Sequence, residues 1–164
     1  MKKIIRISLY SLLYLVIIFF LALMFITTTK ADLVKPNNGI EPYQVVKIQL
    51  KSLQKNNTPS TDNGIKQTWE FAHPSNKKNT GPLNRFKTML KGKSYKELLD
   101  HLDHEIIQEY LTNSVALFEV RVLGKDKSYY KFKWQVEKYE KEGPLKNCWL
   151  TTMVSAPMPL GSSI

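Results

Sequence analysis

Hydrophobic and polar positions along this chain fall into three successive patterns. From Ile7 to Ile26 there is no alternation: "ISLYSLLYLVIIFFLALMFI" carries no charge, no proline and no glycine. At about 1.5 Å of rise per residue such a run crosses a hydrocarbon core of roughly 30 Å, which predicts a membrane-spanning helix over 7–26. The preceding "MKKIIR" holds three cations, so the N-terminus is expected on the cytoplasmic side and the rest beyond the membrane. The alternative is a secretory signal cut after the small pair Thr29 and Ala31, although a signal core of about 7–15 residues is shorter than this run. Residues 1–31 are thus expected to be a membrane anchor or signal segment. The remainder is expected on the extracytoplasmic side of the cell membrane, held there as a single-pass protein or secreted after cleavage near Ala31.

The second pattern has a period near 3.6. After a Pro- and Asn-rich tether (32–41), "PYQVVKIQLKSLQKN" places Val45, Val46, Gln49, Leu50 and Leu53 on one face and Lys47, Lys51 and Lys55 opposite. Pro42 suits a first helical turn. "NNTPSTDNG" reads as a loop and "GIKQTWEFAH" as a short second helix with Ile65, Trp69 and Phe71 or Ala72 inward. "AHPSNKKNTGPLNRF" (72–86) reads as a structured turn. "PLNRFKTMLKG" is a further helix with Leu83, Phe86, Met89 and Leu90 on one face, stopped at Gly92. "SYKELLDHLDH" predicts one or two more helical turns, with Ser94 and Glu97 as a capping box.

The third pattern has a period of two. "EIIQEYLT" predicts a strand. In "SVALFEVRVL", Ala116, Phe118, Val120 and Val122 alternate with Glu119 and Arg121. After a "GKDKS" turn, Tyr130, Phe132, Trp134 and Val136 alternate with Lys131, Lys133, Gln135 and Glu137. "CWLTTMVS" is a last strand. Pro157 and Pro159 are expected to keep the tail, 155–164, irregular and outside any ladder. Helices followed by an antiparallel meander predict a single α+β domain over 42–154.

Charge and cysteine content narrow the function classes. The chain has 24 Lys plus Arg and 14 Asp plus Glu; four cations lie in residues 1–31 and no acid does, so the remainder carries a net +6. Lys77, Lys78, Arg85, Lys87, Lys91, Lys93 and Lys96 form a run without an acid. For a tethered domain the natural partner of such a run (77–96) is an anionic lipid surface; the bland alternative is a solvated Lys-rich face. Nucleic acid is not expected, since no aromatic–basic reader motif is present. A single cysteine, Cys148, excludes an internal disulfide and a four-cysteine metal site, and reads as a small buried residue.

Two histidine sites are candidates for chemistry. "DHLDHE" puts His101 and His104 three apart beside Asp100, Asp103 and Glu105, where a helix would bring the imidazoles to one face. The spacing is not that of a metalloprotease, and no metal or other cofactor is expected. His73 stands at a helix exit, where capping is the commoner role; Glu70 is its nearest acid partner. In the turn, Asn76 and Asn79 favour turn conformations and Gly81 a positive φ. Thr80 is expected to cap the next helix, with Arg85 and Lys77 or Lys78 beside it as an anion-binding corner.

The words "PYQVVKIQLKSLQKNN", "WEFAHPSNKKNTGPLNRFKTML", "YKELLDH" and the closing "CW" resemble the family called domain of unknown function 4864, in which a segment like "FAsPxNkxxTGPxxxF" follows two helices. The resemblance covers about residues 41–154. It implies a fold similar to the nuclear-transport-factor-2-like, cystatin-like cone: a curved antiparallel sheet wrapped on helices, often with an apolar pocket. The family has no established catalytic residues, so it implies no activity. In such a cone Trp69, Phe71, Phe118, Tyr130, Phe132, Trp134 and Trp149 would line a cavity or form plain core. The expected function is a non-catalytic small-ligand or protein-binding module, with an apolar ligand touching Trp69, Phe118, Trp134 and the turn residues. The alternative is an isomerase or hydratase using His73 or His101 as base. A third expectation is a homodimer through the Lys131, Lys133, Gln135 and Glu137 face.

Overall fold

A computed structural model describes residues 32–162, together with Tyr14 and 16–18. The expected membrane span over 7–26 lies outside the described residues; among those described, no helix is long and apolar enough to cross a membrane. Asp32–Ile164 forms one compact unit.

Within residues 32–162 four α-helices precede a sheet, the segregation of an α+β domain. Helix α1 (Pro42–Gln54) opens with a capping box between Glu41 and Gln44, with Pro42 in its first turn. All five residues of its predicted inward face are buried. Helix α2 (Asn63–Glu70) packs against α1 at Gly64, whose N–H donates to Asn56 O at 2.9 Å. Helix α3 (Pro74–Thr80) and helix α4 (Leu83–Lys91) follow, separated by Gly81 at φ 81° and Pro82. A short 3-10 turn (Lys96–Leu98) leads into the sheet.

Strands β1 (Asp103–Leu111), β2 (Val115–Leu123) and β3 (Ser128–Lys138) form an antiparallel meander. The free edge of the long β3 takes two short strands, β4 (Trp149–Val154) at one end and β5 (Met158–Ser162) at the other. Register shifts at Gln108/Tyr110, Tyr129/Tyr130 and Gln135/Val136 curve the sheet. Its inner face presents Phe118, Val120, Val122, Phe132, Trp134 and Val136, all essentially inaccessible, to one core shared with Val45, Val46, Leu50 and Leu53 of α1. That face matches the period-two prediction.

Three expectations need correction. The turn at 72–86 contains a seven-residue helix, because "PSNKKNT" has an N-cap at His73, whose Nδ1 accepts from Ser75 N, yet no apolar stripe to reveal it. The predicted helix over 94–104 shrinks to the 3-10 turn: Asp100 adopts φ 51°, its N–H donates to Leu53 O, and β1 begins at Asp103. The tail, expected to stay irregular, forms β5. An edge strand needs ladder bonds on one side only, so Pro159 is tolerated where it meets Tyr130 beside the register shift.

Candidate functional site

The inner face of the sheet and the helices enclose a pocket of about 70 Å³. Its floor is polar. Gln49, from the apolar stripe of α1, donates from Nε2 to Thr68 O at 3.0 Å. Its Oε1 accepts from Thr151 Oγ1 at 2.6 Å and from Trp134 Nε1 at 3.2 Å, and Trp134 Nε1 also reaches Thr151 Oγ1 at 3.2 Å. Gln49, Trp134 and Thr151 are at most 2 % exposed, so these polar groups satisfy one another where water does not reach. The walls are apolar: Leu53 from α1, Phe86, Met89 and Leu90 from α4, and Leu98 from the 3-10 turn. Asn76 and Thr80 of α3, with Tyr95 and Val154, complete the lining.

Tyr95 is the one titratable side chain lining this pocket among the described residues, and its hydroxyl donates to Val154 O at 3.1 Å. Neither candidate base reaches it. His73 Nδ1 lies 2.6 Å from Ser75 Oγ and its ring stands edge-on to Tyr139 at 5.4 Å, in an open surface cleft with Lys78, Glu137 and Lys141. Burial holds its pKa below the ordinary value. Glu70, its suggested partner, pairs instead with Lys35 at 2.9 Å.

His101 is 2 % exposed, and its Nδ1 lies 2.8 Å from Leu98 O, so that nitrogen carries the proton and donates. His101 Nε2 must then accept from His104 Nδ1, 2.8 Å away. The rings meet across the turn into β1 rather than on a helix. Burial pulls the His101 pKa down to about 4 and also lowers that of His104. Among the described residues no group of three His, Cys, Asp or Glu side chains is placed to hold a metal ion.

The remaining predicted residues divide between pocket and scaffold. Trp134, Asn76 and Thr80 line the pocket. Phe118 is core, edge-on to Tyr43, while Trp69 packs on Phe86 with Lys77 Nζ 5.4 Å from its ring. Phe71, Phe132 and Trp149 are likewise core, with Tyr130 packed against it, so the aromatic set does not gather round one cavity. Thr80 does not cap α4: its hydroxyl donates to Asn76 O at 2.8 Å, and Pro82 is the N-cap. Asn79 is exposed at the end of α3. Of the basic run, Lys87 and Lys91 turn to the buried Asp62 at 3.8 and 2.8 Å, and Lys96 to Glu97 at 3.4 Å. On the outer sheet face Lys131 and Lys133 flank Glu119 at 3.5 and 3.6 Å. Gln49, Thr68 and Thr151 were not singled out from sequence as site residues. The available signal was one amide standing in an otherwise apolar helix stripe.

Comparison with known proteins adds no relative: no family model, no curated protein and no solved structure matches the chain.

Proposed function

We propose that residues 32–162 are a non-catalytic binding module that receives a small apolar group in the pocket above Gln49, Trp134 and Thr151. The observation that carries this reading is the chemistry of the lining. An acid–base enzyme of the isomerase or hydratase kind needs a titratable group within hydrogen-bond reach of its substrate. This pocket offers apolar walls and a floor whose polar atoms are already paired, and its one phenol is occupied by a backbone carbonyl. His73 and His101 lie elsewhere, the first in an open cleft and the second paired with His104.

The resemblance to domain of unknown function 4864, and through it to the cone fold, supports the same reading, since such cones often hold an apolar pocket. The sequence of residues 1–31 supports a place on the extracytoplasmic side of a membrane, where apolar ligands concentrate. Butanol titrated into the full chain, with methyl and indole N–H resonances followed by NMR, tests the proposal. Saturable shifts confined to Leu53, Leu90, Leu98, Val154 and the Trp134 indole are expected. Shifts that rise without saturation and scatter over the surface would reject it.

A further inference from the structure

We infer that α3 is a lid over this pocket and that it admits an amphiphile with one alkyl chain and an anionic head, the head held by Arg85. This rests on the binding reading above and goes beyond it in naming the ligand class and the moving part. Closed, the pocket offers about 70 Å³. An apolar cavity of about 150 Å³ is what holds benzene, so the closed state accepts a tail of a few carbons, such as that of butanol with its hydroxyl outside, and not a long chain. A longer chain needs one wall to move.

Only one wall is built to do so. Every other element around the pocket contributes at least one buried side chain: Gln49 and Leu53 from α1, Thr68 from α2, Phe86 and Leu90 from α4, Trp134 and Thr151 from the sheet. Helix α3 buries none of its seven residues and faces the pocket with two polar side chains, Asn76 and Thr80. Its leading end is fixed: His73 N–H donates to Thr151 O at 2.9 Å, next to the bridge between Ala72 and Thr151. Beyond that, Asn76 Nδ2 reaches Thr151 O at a long 3.3 Å and Lys77 rests over Trp69. Its trailing end is Gly81 at φ 81°, a conformation that side chains rarely adopt, followed by Pro82. A segment with a fixed end, a glycine joint and no buried apolar surface opens at low free-energy cost.

Arg85 stands where a head group would emerge. Its methylenes press on Gly81, the residue after Thr80, so closely that a Cβ there would lie 2.6 Å from Arg85 Cδ. The next residue, Phe86, lines the pocket. Among the described residues Arg85 joins none of the ion pairs, whereas Lys87 and Lys91 are engaged with Asp62. A guanidinium matches a carboxylate or phosphate through two parallel hydrogen bonds. A chain entering between Thr80 and Phe86 therefore leaves its head beside Arg85.

The same chemistry is presented by a free fatty acid and by a single-chain anionic membrane lipid such as lysophosphatidylglycerol. The test uses the full chain in phosphatidylcholine nanodiscs, with decanoate and butanol as separate probes and hydrogen exchange of the 77–81 amides as readout. Decanoate is expected to bind more tightly than butanol and to slow exchange in α3 about tenfold, while Arg85→Gln weakens decanoate by about tenfold and leaves butanol unchanged. Protection appearing when the nanodiscs carry lysophosphatidylglycerol, with no decanoate present, assigns the chain to a membrane lipid; protection by decanoate alone assigns it to a free acid. Butanol binding with no gain for decanoate and no change in α3 would overturn the lid and keep the pocket. Decanoate binding that is indifferent to Arg85→Gln would overturn the head-group assignment. Failure of both probes would remove the underlying reading itself.

Discussion

Replacing Gln49 by leucine tests whether the polar floor of the pocket is structural. The substitution keeps the side chain's bulk and removes three hydrogen bonds: to Thr68 O at 3.0 Å, from Thr151 Oγ1 at 2.6 Å and from Trp134 Nε1 at 3.2 Å. Trp134 keeps Thr151 Oγ1 as acceptor, but the Thr151 hydroxyl loses its own acceptor and Thr68 O loses this donor. A neutral hydrogen bond is worth about 1 kcal/mol net, and a buried polar group left unpaired costs about 1–3 kcal/mol. Allowing for what a buried leucine gains, Gln49→Leu should destabilise the domain by about 2–4 kcal/mol. Urea unfolding followed by tryptophan fluorescence and circular dichroism would measure it, with an unchanged denaturant slope showing that the unfolded state is the same. Because Gln49 and Thr151 share a bond, a double-mutant cycle with Thr151→Val should show coupling of at least about 0.5 kcal/mol. A loss below about 0.5 kcal/mol together with additive effects would refute the reasoning and mean that the floor is wetter and looser than its geometry implies.

Three further outcomes follow from separate parts of the molecule. Gly64→Ala should destabilise by about 2–4 kcal/mol in the same urea assay, because the new Cβ would lie 2.1 Å from Ser52 O and α1 would have to move off α2. His101 has a folded pKa of about 4, below its ordinary 6.5. The unfolded chain therefore binds the extra proton first, and this group's contribution is intact above about pH 6.5 and lost as pH falls toward about 4. The loss amounts to roughly 3 kcal/mol, and His101→Asn should flatten the stability–pH curve across that window. Cys148 is buried and burial raises its thiol pKa, so iodoacetamide should label it far more slowly in the native chain than in urea, as intact-mass measurement would show.

Residues differ in how plainly their roles could be seen in the sequence, and the differences have physical causes. The inward faces of α1, β2 and β3 were legible because burial imposes a period of 3.6 or 2 on apolar side chains, and these elements bury one face continuously. Helix α3 was not, because it buries nothing; its sequence shows only turn-forming and charged residues, and a His73 cap with Pro74 behind it makes a helix of them. The segment from Ser94 to His104 carried a capping-box spacing that the structure overrides at Asp100, where a left-handed residue and ties to Leu53 O, Asn56 N and Lys125 end the helical path. Strand β5 was hidden by a proline rule that binds only strands paired on both sides.

The site was half legible. Trp134, Asn76 and Thr80 were named, but aromatic residues at core spacing look the same whether they line a cavity or fill one, and Phe118 and Trp69 fill. Gln49 was visible as a polar residue in an apolar stripe. Its partners Thr68 and Thr151 are 19 and 102 residues away in sequence, and only the fold brings them together.

The most direct test of the account is one comparison: butanol titrated into the full chain and into a Met89→Trp variant, whose indole would occupy the apolar side of the pocket. The Trp134 indole N–H and the methyls of Leu53 and Val154 report in both. The account predicts saturable binding in the natural chain and its loss in the variant, with the dispersion of the remaining signals unchanged. Equal binding by both proteins, or binding in neither, would contradict the claim that this pocket is where the domain takes its ligand.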